Sequence, residues 1–122
     1  MKVIIDLIED IRAAINNDKD FSLMAMSLKE ENSGGYRPSW ESYVCRMKVD
    51  DEQSGLFLFL GKEDPLTTGQ LLQELNSLSN EKMMYEVCVS YSKQSQRINS
   101  PLIGFGESLN DRKYLLFISE QS

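Results

Sequence analysis

Two segments of the chain, 64 positions apart, share one pattern: Leu7-Ile8-Glu9-Asp10-Ile11 and Leu71-Leu72-Gln73-Glu74-Leu75. Their apolar residues recur at spacings of three and four, which predicts an amphipathic helix in each segment. The same offset aligns two alternating strand patterns: Phe21, Leu23 and Ala25 with Tyr85, Val87 and Val89. The sequence therefore predicts two similar helix-and-strand units. Any helix followed by a strand would align in this way, so a common origin of the two units is one of two interpretations.

The predicted order is helix, three strands, helix, three strands. We expect the first helix over 3–16, with Asn16-Asn17-Asp18 as its stop, and the second from Thr67, which forms a capping-box pattern with Gln70. The expected strands are 20–29, 42–49, 56–60, 83–92, 101–106 and 113–119. The residues between the first two strands, 30–40, are expected to form a long loop.

Neither unit can bury its own apolar surface, so the two should close one shared core. The sequence predicts an α+β fold of αβββαβββ order in a single domain, 1–122, with units of about 1–62 and 63–122. The two helices should pack on a largely antiparallel sheet of five or six strands.

The residue types that are missing exclude several kinds of chemistry. The chain has no histidine, which removes the commonest general base and metal ligand. Cys45 and Cys88 lie 43 positions apart, so they form neither a zinc-ligand pair nor a redox motif. We therefore expect no enzyme, no cofactor and no metal site. Only three apolar residues separate Lys2 from Asp6, so no secretory leader is expected, and the protein should be cytoplasmic with reduced, buried thiols.

The charge balance is acidic. Thirteen Lys and Arg residues against nineteen Asp and Glu residues give a net charge of −6, which argues against duplex DNA and anionic membranes as ligands. We therefore expect no direct contact with nucleic acid and none with a membrane. No apolar run of about 18 residues is present for a membrane span. Two acidic clusters, Glu30-Glu31 and Asp50-Asp51-Glu52, are candidates for docking onto a basic groove of a protein partner. The alternative is that they are solvated turns that keep the protein soluble.

The expected loop 30–40 is the main candidate for a partner-binding surface. It contains Tyr36, Arg37 and Trp40, and these residue types dominate interface hot spots. The alternative is that Trp40, the only tryptophan, folds back as part of the core. The corresponding segment of the second unit, 92–100, carries Lys93 and Arg97 and no acidic residue, which is also what a generic polar loop would show.

One stretch resembles a pattern found in small phage and mobile-element proteins. It runs from Leu66 to Leu78 as T-x-G-x-L-L-x-x-L-x-x-L and is followed by Tyr85-Glu86-Val87-Cys88-Val89. The resemblance implies a phage- or plasmid-borne accessory protein, a class that includes the anti-CRISPR inhibitors, which occupy a site on a host nuclease complex. The order of elements is also similar to that of acidic type III secretion chaperones, although those normally end in a helix and this chain should end in a strand.

These observations predict a non-enzymatic, acidic binding protein, monomeric or homodimeric, that inhibits or masks a protein partner such as a host defence nuclease. The expected binding residues are Tyr36, Arg37, Trp40, Glu30, Glu31, Asp50, Asp51 and Glu52. A toxin-immunity protein and a type III secretion-type chaperone are the alternatives.

Overall fold

The computed structural model describes residues 1–15 and 20–119. Within these ranges the elements are α1 (Ile4–Ala14), β1 (Ser22–Glu30), β2 (Tyr36–Asp50), β3 (Gly55–Leu60), α2 (Thr68–Asn76), a short 3-10 helix (Asn80–Met84), β4 (Glu86–Lys93), β5 (Gln96–Ser108) and β6 (Lys113–Ser119). The order of helices and strands is the predicted one. The strand expected from residue 83 begins at Glu86 because the 3-10 helix occupies the residues before it. The expected helix stop, Asn16-Asn17-Asp18, lies outside the described residues.

Both helices form for the reasons that the sequence gives. Each has one buried apolar face: Ile4, Leu7, Ile8 and Ile11 in α1, and Leu71, Leu72 and Leu75 in α2, where Thr68 is buried as well. The predicted capping box starts α2, since Thr67 Oγ1 accepts the Gln70 N–H at 3.2 Å and Gln70 Oε1 accepts the Thr67 N–H at 3.0 Å. At the start of α1, the Asp6 carboxylate accepts the Val3 N–H at 3.0 Å.

The six strands close into a barrel in the order β1-β2-β3-β4-β5-β6. Four of the six strand pairs are antiparallel, but β1 with β6 and β3 with β4 are parallel. The expected sheet of six strands is thus present, but it is mixed and closed. A parallel pair needs a long crossover connection, and α2 with the 3-10 helix supplies it between β3 and β4. Closure also leaves neither apolar strand, β3 nor β6, at an open edge.

The strand registers of the two units correspond. In β2 the pairing with β3 shifts between Val44 and Arg46, and in β5 the pairing with β6 shifts between Leu102 and Gly104. The two bulges are 58 positions apart. After the bulges, Arg46 pairs with Phe59 and Gly104 pairs with Phe117, and these two phenylalanines are also 58 positions apart. The offset falls from 64 to 58 because the hairpin of β4 and β5 is six residues shorter than that of β1 and β2; the connection accounts for three of the six, with two residues in place of five, and the strand ends beside it account for the rest.

The junctions between helices and strands correspond as well. The Ile4 N–H donates to the Tyr85 carbonyl at 3.0 Å, and the Thr68 N–H donates to the Phe21 carbonyl at 2.8 Å. Thr68 lies 64 positions after Ile4, and Tyr85 lies 64 positions after Phe21. Each helix therefore begins against the first strand of the other unit, so the units are bound to each other by backbone hydrogen bonds as well as by apolar contact.

One hydrophobic cluster fills the interior. The buried faces of both helices contribute to it together with strand residues that include Leu23, Val44, Leu58, Val89 and Leu116. Packing of two helices on a six-stranded sheet around a shared core is as predicted. Cys45 in β2 and Cys88 in β4 are buried and not in a disulfide, also as predicted.

Both expected loops between the first two strands of a unit are much shorter in the structure. β1 ends at Glu30 and β2 begins at Tyr36, so Tyr36, Arg37 and Trp40 lie in a strand rather than in a loop. In the second unit, β4 and β5 are separated only by Gln94 and Ser95, which both have positive φ. The sequence predicted loops here because the strand ends have a polar composition. These ends extend into solvent, where a strand does not require an apolar face.

Candidate binding site

The predicted partner-binding residues fall in three places. The first is the tip of the β1–β2 hairpin. There Glu30 pairs with Tyr36 and Arg37 pairs with Lys29, while the Glu31 N–H donates to the Gly35 carbonyl at 2.8 Å. Tyr36 is 59% exposed. The tip thus presents an aromatic ring, an arginine and two carboxylates to solvent.

Trp40 lies apart from the hairpin tip. It is half-buried, packs against the hydrophobic cluster and contacts Tyr91 edge-on, with ring centroids 5.0 Å apart and the planes at 67°. A bulge at Ser39 shifts the register with β1, so Trp40 pairs with Ser27 and Pro38 with Leu28. This places Tyr36 and Trp40 on opposite faces of the hairpin, although four residues of one strand would ordinarily put them on the same face.

The third place is the turn between β2 and β3, which holds Asp50, Asp51 and Glu52. The Asp50 carboxylate accepts the backbone N–H of Gln53 at 3.1 Å, so it stabilises the turn. Asp51 accepts the Tyr85 hydroxyl at 3.0 Å and lies 3.2 Å from the Lys82 ammonium. The hydrogen bond from Tyr85, followed by that from Lys82, lowers the pKa of Asp51 below its usual value.

This acidic turn and the hairpin tip stand at the two ends of β2, a strand of 15 residues that would span about 45 Å if straight. The predicted set is therefore not one surface. The structure separates the hairpin tip, Trp40 and the acidic turn, and two of the three acidic-turn carboxylates have local structural partners.

A different cluster forms around Trp40. A cavity of about 590 Å³ is lined by Trp40, Ser42, Arg46, Leu60, Gly61, Lys62, Tyr91, Ser92, Lys93 and Arg97, and we call it the cationic groove. Four strands and the connection after β3 supply these residues, and neither helix contributes. The groove brings four cationic side chains beside an aromatic pair, with no carboxylate among its lining residues.

An aromatic ring stands between two of these cations on the outer surface of the barrel. The guanidinium groups of Arg46 and Arg97 lie 5.3 Å and 5.7 Å from the centroid of the Phe59 ring. Arg46 pairs directly with Phe59, and Arg97 reaches it from across β4. Cation–π attraction of this kind holds both guanidinium groups over a half-buried ring while leaving their N–H donors available to a ligand.

The charge of the groove is opposite to that of the chain as a whole. Four of the thirteen cationic residues line it, which leaves nine cations against nineteen acidic residues elsewhere. In the described part of the chain, no carboxylate forms a salt bridge with Arg46, Lys62 or Arg97. At these three residues the positive charge is therefore not neutralised by a salt bridge within the described residues, and an anion would meet it directly.

A shallower depression of about 170 Å³ continues from the groove across the outer face of the sheet. Its lining includes Arg97, Phe59, Phe57 and Lys48, and also Asp50 from the acidic turn. Arg97 lines both cavities, whereas Trp40 lines only the groove and Asp50 only the smaller depression. The acidic turn bounds this surface and restricts how far a polyanion can extend along it.

Sequence reasoning found Trp40 and noted Lys93 and Arg97, but it missed Arg46, Lys62, Tyr91 and Phe59. These residues are spread from position 46 to position 97, and no local motif links them. One signal was present: the segment 92–100 is basic where its counterpart in the first unit is acidic. The cross-strand register, which places Phe59 beside both Arg46 and Ser90, was needed to assemble the rest.

The groove offers cationic donors, aromatic rings and two serine hydroxyls, a set that binds and orients a ligand. Over residues 1–15 and 20–119, no cluster of three or more Cys, Asp or Glu side chains has an arrangement that would hold a metal ion. Among the same residues, no helix combines the length and apolar character needed to cross a membrane. Neither a protein-family model, nor a curated protein, nor a solved structure matches the chain.

Proposed function

We propose that this is a non-enzymatic binding protein that uses the cationic groove to recognise an anionic partner. The observation that carries the proposal is the convergence of Arg46, Lys62, Lys93 and Arg97 around the Trp40–Tyr91 pair in a chain of net charge −6. Selection for solubility alone would not concentrate four cationic side chains at one place on an acidic protein. We also propose a cytoplasmic location, because the two free thiols suit a reducing compartment.

Binding is testable because Trp40 is the only tryptophan and lies in the groove, so intrinsic fluorescence reports on its occupancy. The protein is titrated with three polyanions: inorganic polyphosphate, an oligo-glutamate peptide and a single-stranded oligonucleotide. We expect at least one to change the Trp40 emission saturably, with an affinity that falls as salt rises. If none of the three changes the emission, the proposal is wrong.

A matched pair of variants assigns the site. Arg46→Gln removes a cation from the groove, while Arg37→Gln makes the same change at the hairpin tip. The first should weaken polyanion binding and the second should leave it unchanged. Equal losses in both variants would show that binding depends on net charge rather than on the groove.

The hairpin tip favours a second candidate function, the masking of a protein partner. Tyr36 is largely exposed beside Arg37, and these residue types anchor protein interfaces. On this proposal the protein is an inhibitor, of the anti-CRISPR or immunity kind. Alanine substitution of Tyr36 and Arg37 should abolish partner capture without changing the thermal melt. Capture that survives in this variant would remove the hairpin tip from consideration.

We further propose that the two units arose by duplication, on the strength of the matching junctions and bulges. If the units are interchangeable, their order along the chain is immaterial. In a permutant that joins Ser122 directly to Met1, four residues, 119–122, connect Ile118 to Met1. In the parent chain four residues, 61–64, connect Leu60 to Pro65, so the new connection between the units has the same length as the old one. A circular permutant opened between Lys62 and Glu63 should therefore fold with the circular-dichroism spectrum of the parent. A permutant that stays unfolded would contradict interchangeability.

A further inference from the structure

We propose that the anionic partner of the cationic groove is a short single-stranded nucleic acid, RNA or DNA, bound through its phosphates and through stacking of its bases. The inference rests on the proposed function, since it names the chemical class of ligand for the same site. Its basis is that the groove presents flat π surfaces at the same places as its positive charges.

Three aromatic rings border the cations. Phe59 lies between Arg46 and Arg97, and the Trp40–Tyr91 pair lines the groove itself. Trp40 and Tyr91 are half-buried and pack against the hydrophobic cluster, so both rings are fixed yet keep part of their surface accessible. The Phe59 ring is also half-buried. Carboxylates and simple phosphates gain nothing from such rings, whereas each base of a single strand stacks on them. Arginine adds planar guanidinium groups on which bases also stack.

The geometry favours a single strand over a duplex. In a duplex the bases are paired and stacked on each other, so their faces cannot reach Phe59 or Tyr91. A duplex would also bring a dense line of phosphates against a surface whose charge outside the groove is strongly negative. The acidic turn at Asp50 closes one limit of the basic surface, which restricts the bound segment to a few nucleotides. The expectation of no direct nucleic-acid contact followed from the net charge, and the local charge at the groove is opposite.

The acidic polypeptide is the competing ligand, since it satisfies the same cations. It provides carboxylates but no flat rings, and it leaves the aromatic surface of the groove without a partner. The observations therefore favour the nucleic acid, and the peptide becomes an outcome of the test.

The experiment compares four probes by Trp40 fluorescence at equal salt. They are an oligothymidylate of about eight nucleotides, its duplex with oligoadenylate, inorganic polyphosphate of matched charge and oligo-glutamate of matched charge. We expect the single strand to bind at least about tenfold more tightly than each of the others. With Arg46, Lys62 and Arg97 engaged, its affinity should fall about twenty-fold between about 50 and 200 mM salt.

Two variants separate stacking from charge. Tyr91→Leu removes a ring but no charge, so it should weaken single-strand binding by about five-fold to one-hundred-fold and leave polyphosphate binding nearly unchanged. Arg97→Gln should weaken both ligands and reduce the salt dependence. Circular dichroism establishes that each variant is folded, and Tyr91→Met, which also removes the ring without changing the charge, provides the stacking test if Tyr91→Leu is not.

The possible results point to different conclusions. If polyphosphate binds as tightly as the oligonucleotide, or if the ring variants bind the oligonucleotide as tightly as the parent does, the groove recognises only negative charge. This inference would then be wrong, while the proposed function would stand. Tighter binding of oligo-glutamate would identify an acidic polypeptide as the partner, and tighter duplex binding would exclude base stacking. Failure of every probe would overturn the proposed function together with the inference.

Discussion

The guanidinium of Arg12 donates a hydrogen bond to the side-chain carbonyl of Asn76 at 2.9 Å, and the two residues are 64 positions apart. This is the offset that relates the two helices, so Arg12 of α1 meets the residue of α2 that corresponds to it. Corresponding residues can touch only where the two units approach each other symmetrically. The contact therefore locates the seam between the units on the exposed side of the helix pair.

The Arg12–Asn76 contact should contribute little to stability because both side chains are exposed. Replacing either residue with alanine is expected to lower the free energy of unfolding by less than about 1 kcal/mol. A double-mutant cycle measured by urea denaturation should give a coupling energy of a few tenths of a kcal/mol. A coupling above about 2 kcal/mol would mean that the seam depends on this pair and not on the apolar core.

Thr68 should matter far more, because its hydroxyl is buried and makes two hydrogen bonds. It accepts the Phe21 N–H at 3.1 Å and donates to the Asp20 carboxylate at 3.0 Å. Thr68→Val preserves the shape but leaves the Phe21 N–H without an acceptor, so stability should fall by about 1–3 kcal/mol. Gln73→Ala, on the exposed face of the same helix, is the control and should stay within about 0.5 kcal/mol of the parent. Equal stabilities of the two variants would contradict the role of the hydroxyl.

Two glycines of β5 face the same ring and allow a matched comparison. A Cβ built on Gly106 would lie 2.9 Å from two atoms of the Phe117 ring, whereas one on Gly104 would lie 3.6 Å from it. Gly106→Ala must displace the ring, so it should be less stable than Gly104→Ala by about 1–3 kcal/mol. The difference is measured by thermal or urea unfolding. Gly104→Ala reaches only ordinary contact distance and should match or exceed the parent; a reversed order would show that Phe117 moves freely.

The thiol of Cys88 should be unreactive in the folded protein. Burial, with added effects of the nearby Glu86 carboxylate, raises its pKa to about 11. At pH 8 about one molecule in a thousand would carry the thiolate, the form that attacks disulfide reagents. In a Cys45→Ser protein, where Cys88 is the only thiol, labelling should be slow at pH 8 and rapid after addition of urea.

The same shift predicts a dependence of stability on alkaline pH. Because the folded state holds the Cys88 proton more tightly than the unfolded state does, stability from this group is full below the unfolded pKa of about 9 and declines as the pH rises toward 11. Cys88→Ala in the Cys45→Ser background should remove this part of the alkaline decline. Rapid labelling of native protein at pH 8 would contradict the burial of the thiol.

The amino-acid sequence by itself determined the helices, their buried faces and the order of elements. The spacings in 7–11 and 71–75 permit only one apolar face on each helix, and the Thr67–Gln70 capping box acts within one turn, so neither depends on distant residues. The absence of histidine and the paired patterns of the two units were equally visible without coordinates.

The tertiary structure decided how the strands close and what their ends present. The parallel pairs of β1 with β6 and β3 with β4 follow from how the two units meet, which no local pattern encodes. The registers of β2 with β3, β3 with β4 and β4 with β5 bring Arg46 and Arg97 beside Phe59, and the same strands carry Tyr91 to the groove that these arginines line. The length of β2 separates Tyr36 from Asp51. The sequence gives the net charge as a sum over residues, but recognition of a ligand depends on where the charged side chains lie in space. Only closure of the barrel fixes the positions of these side chains.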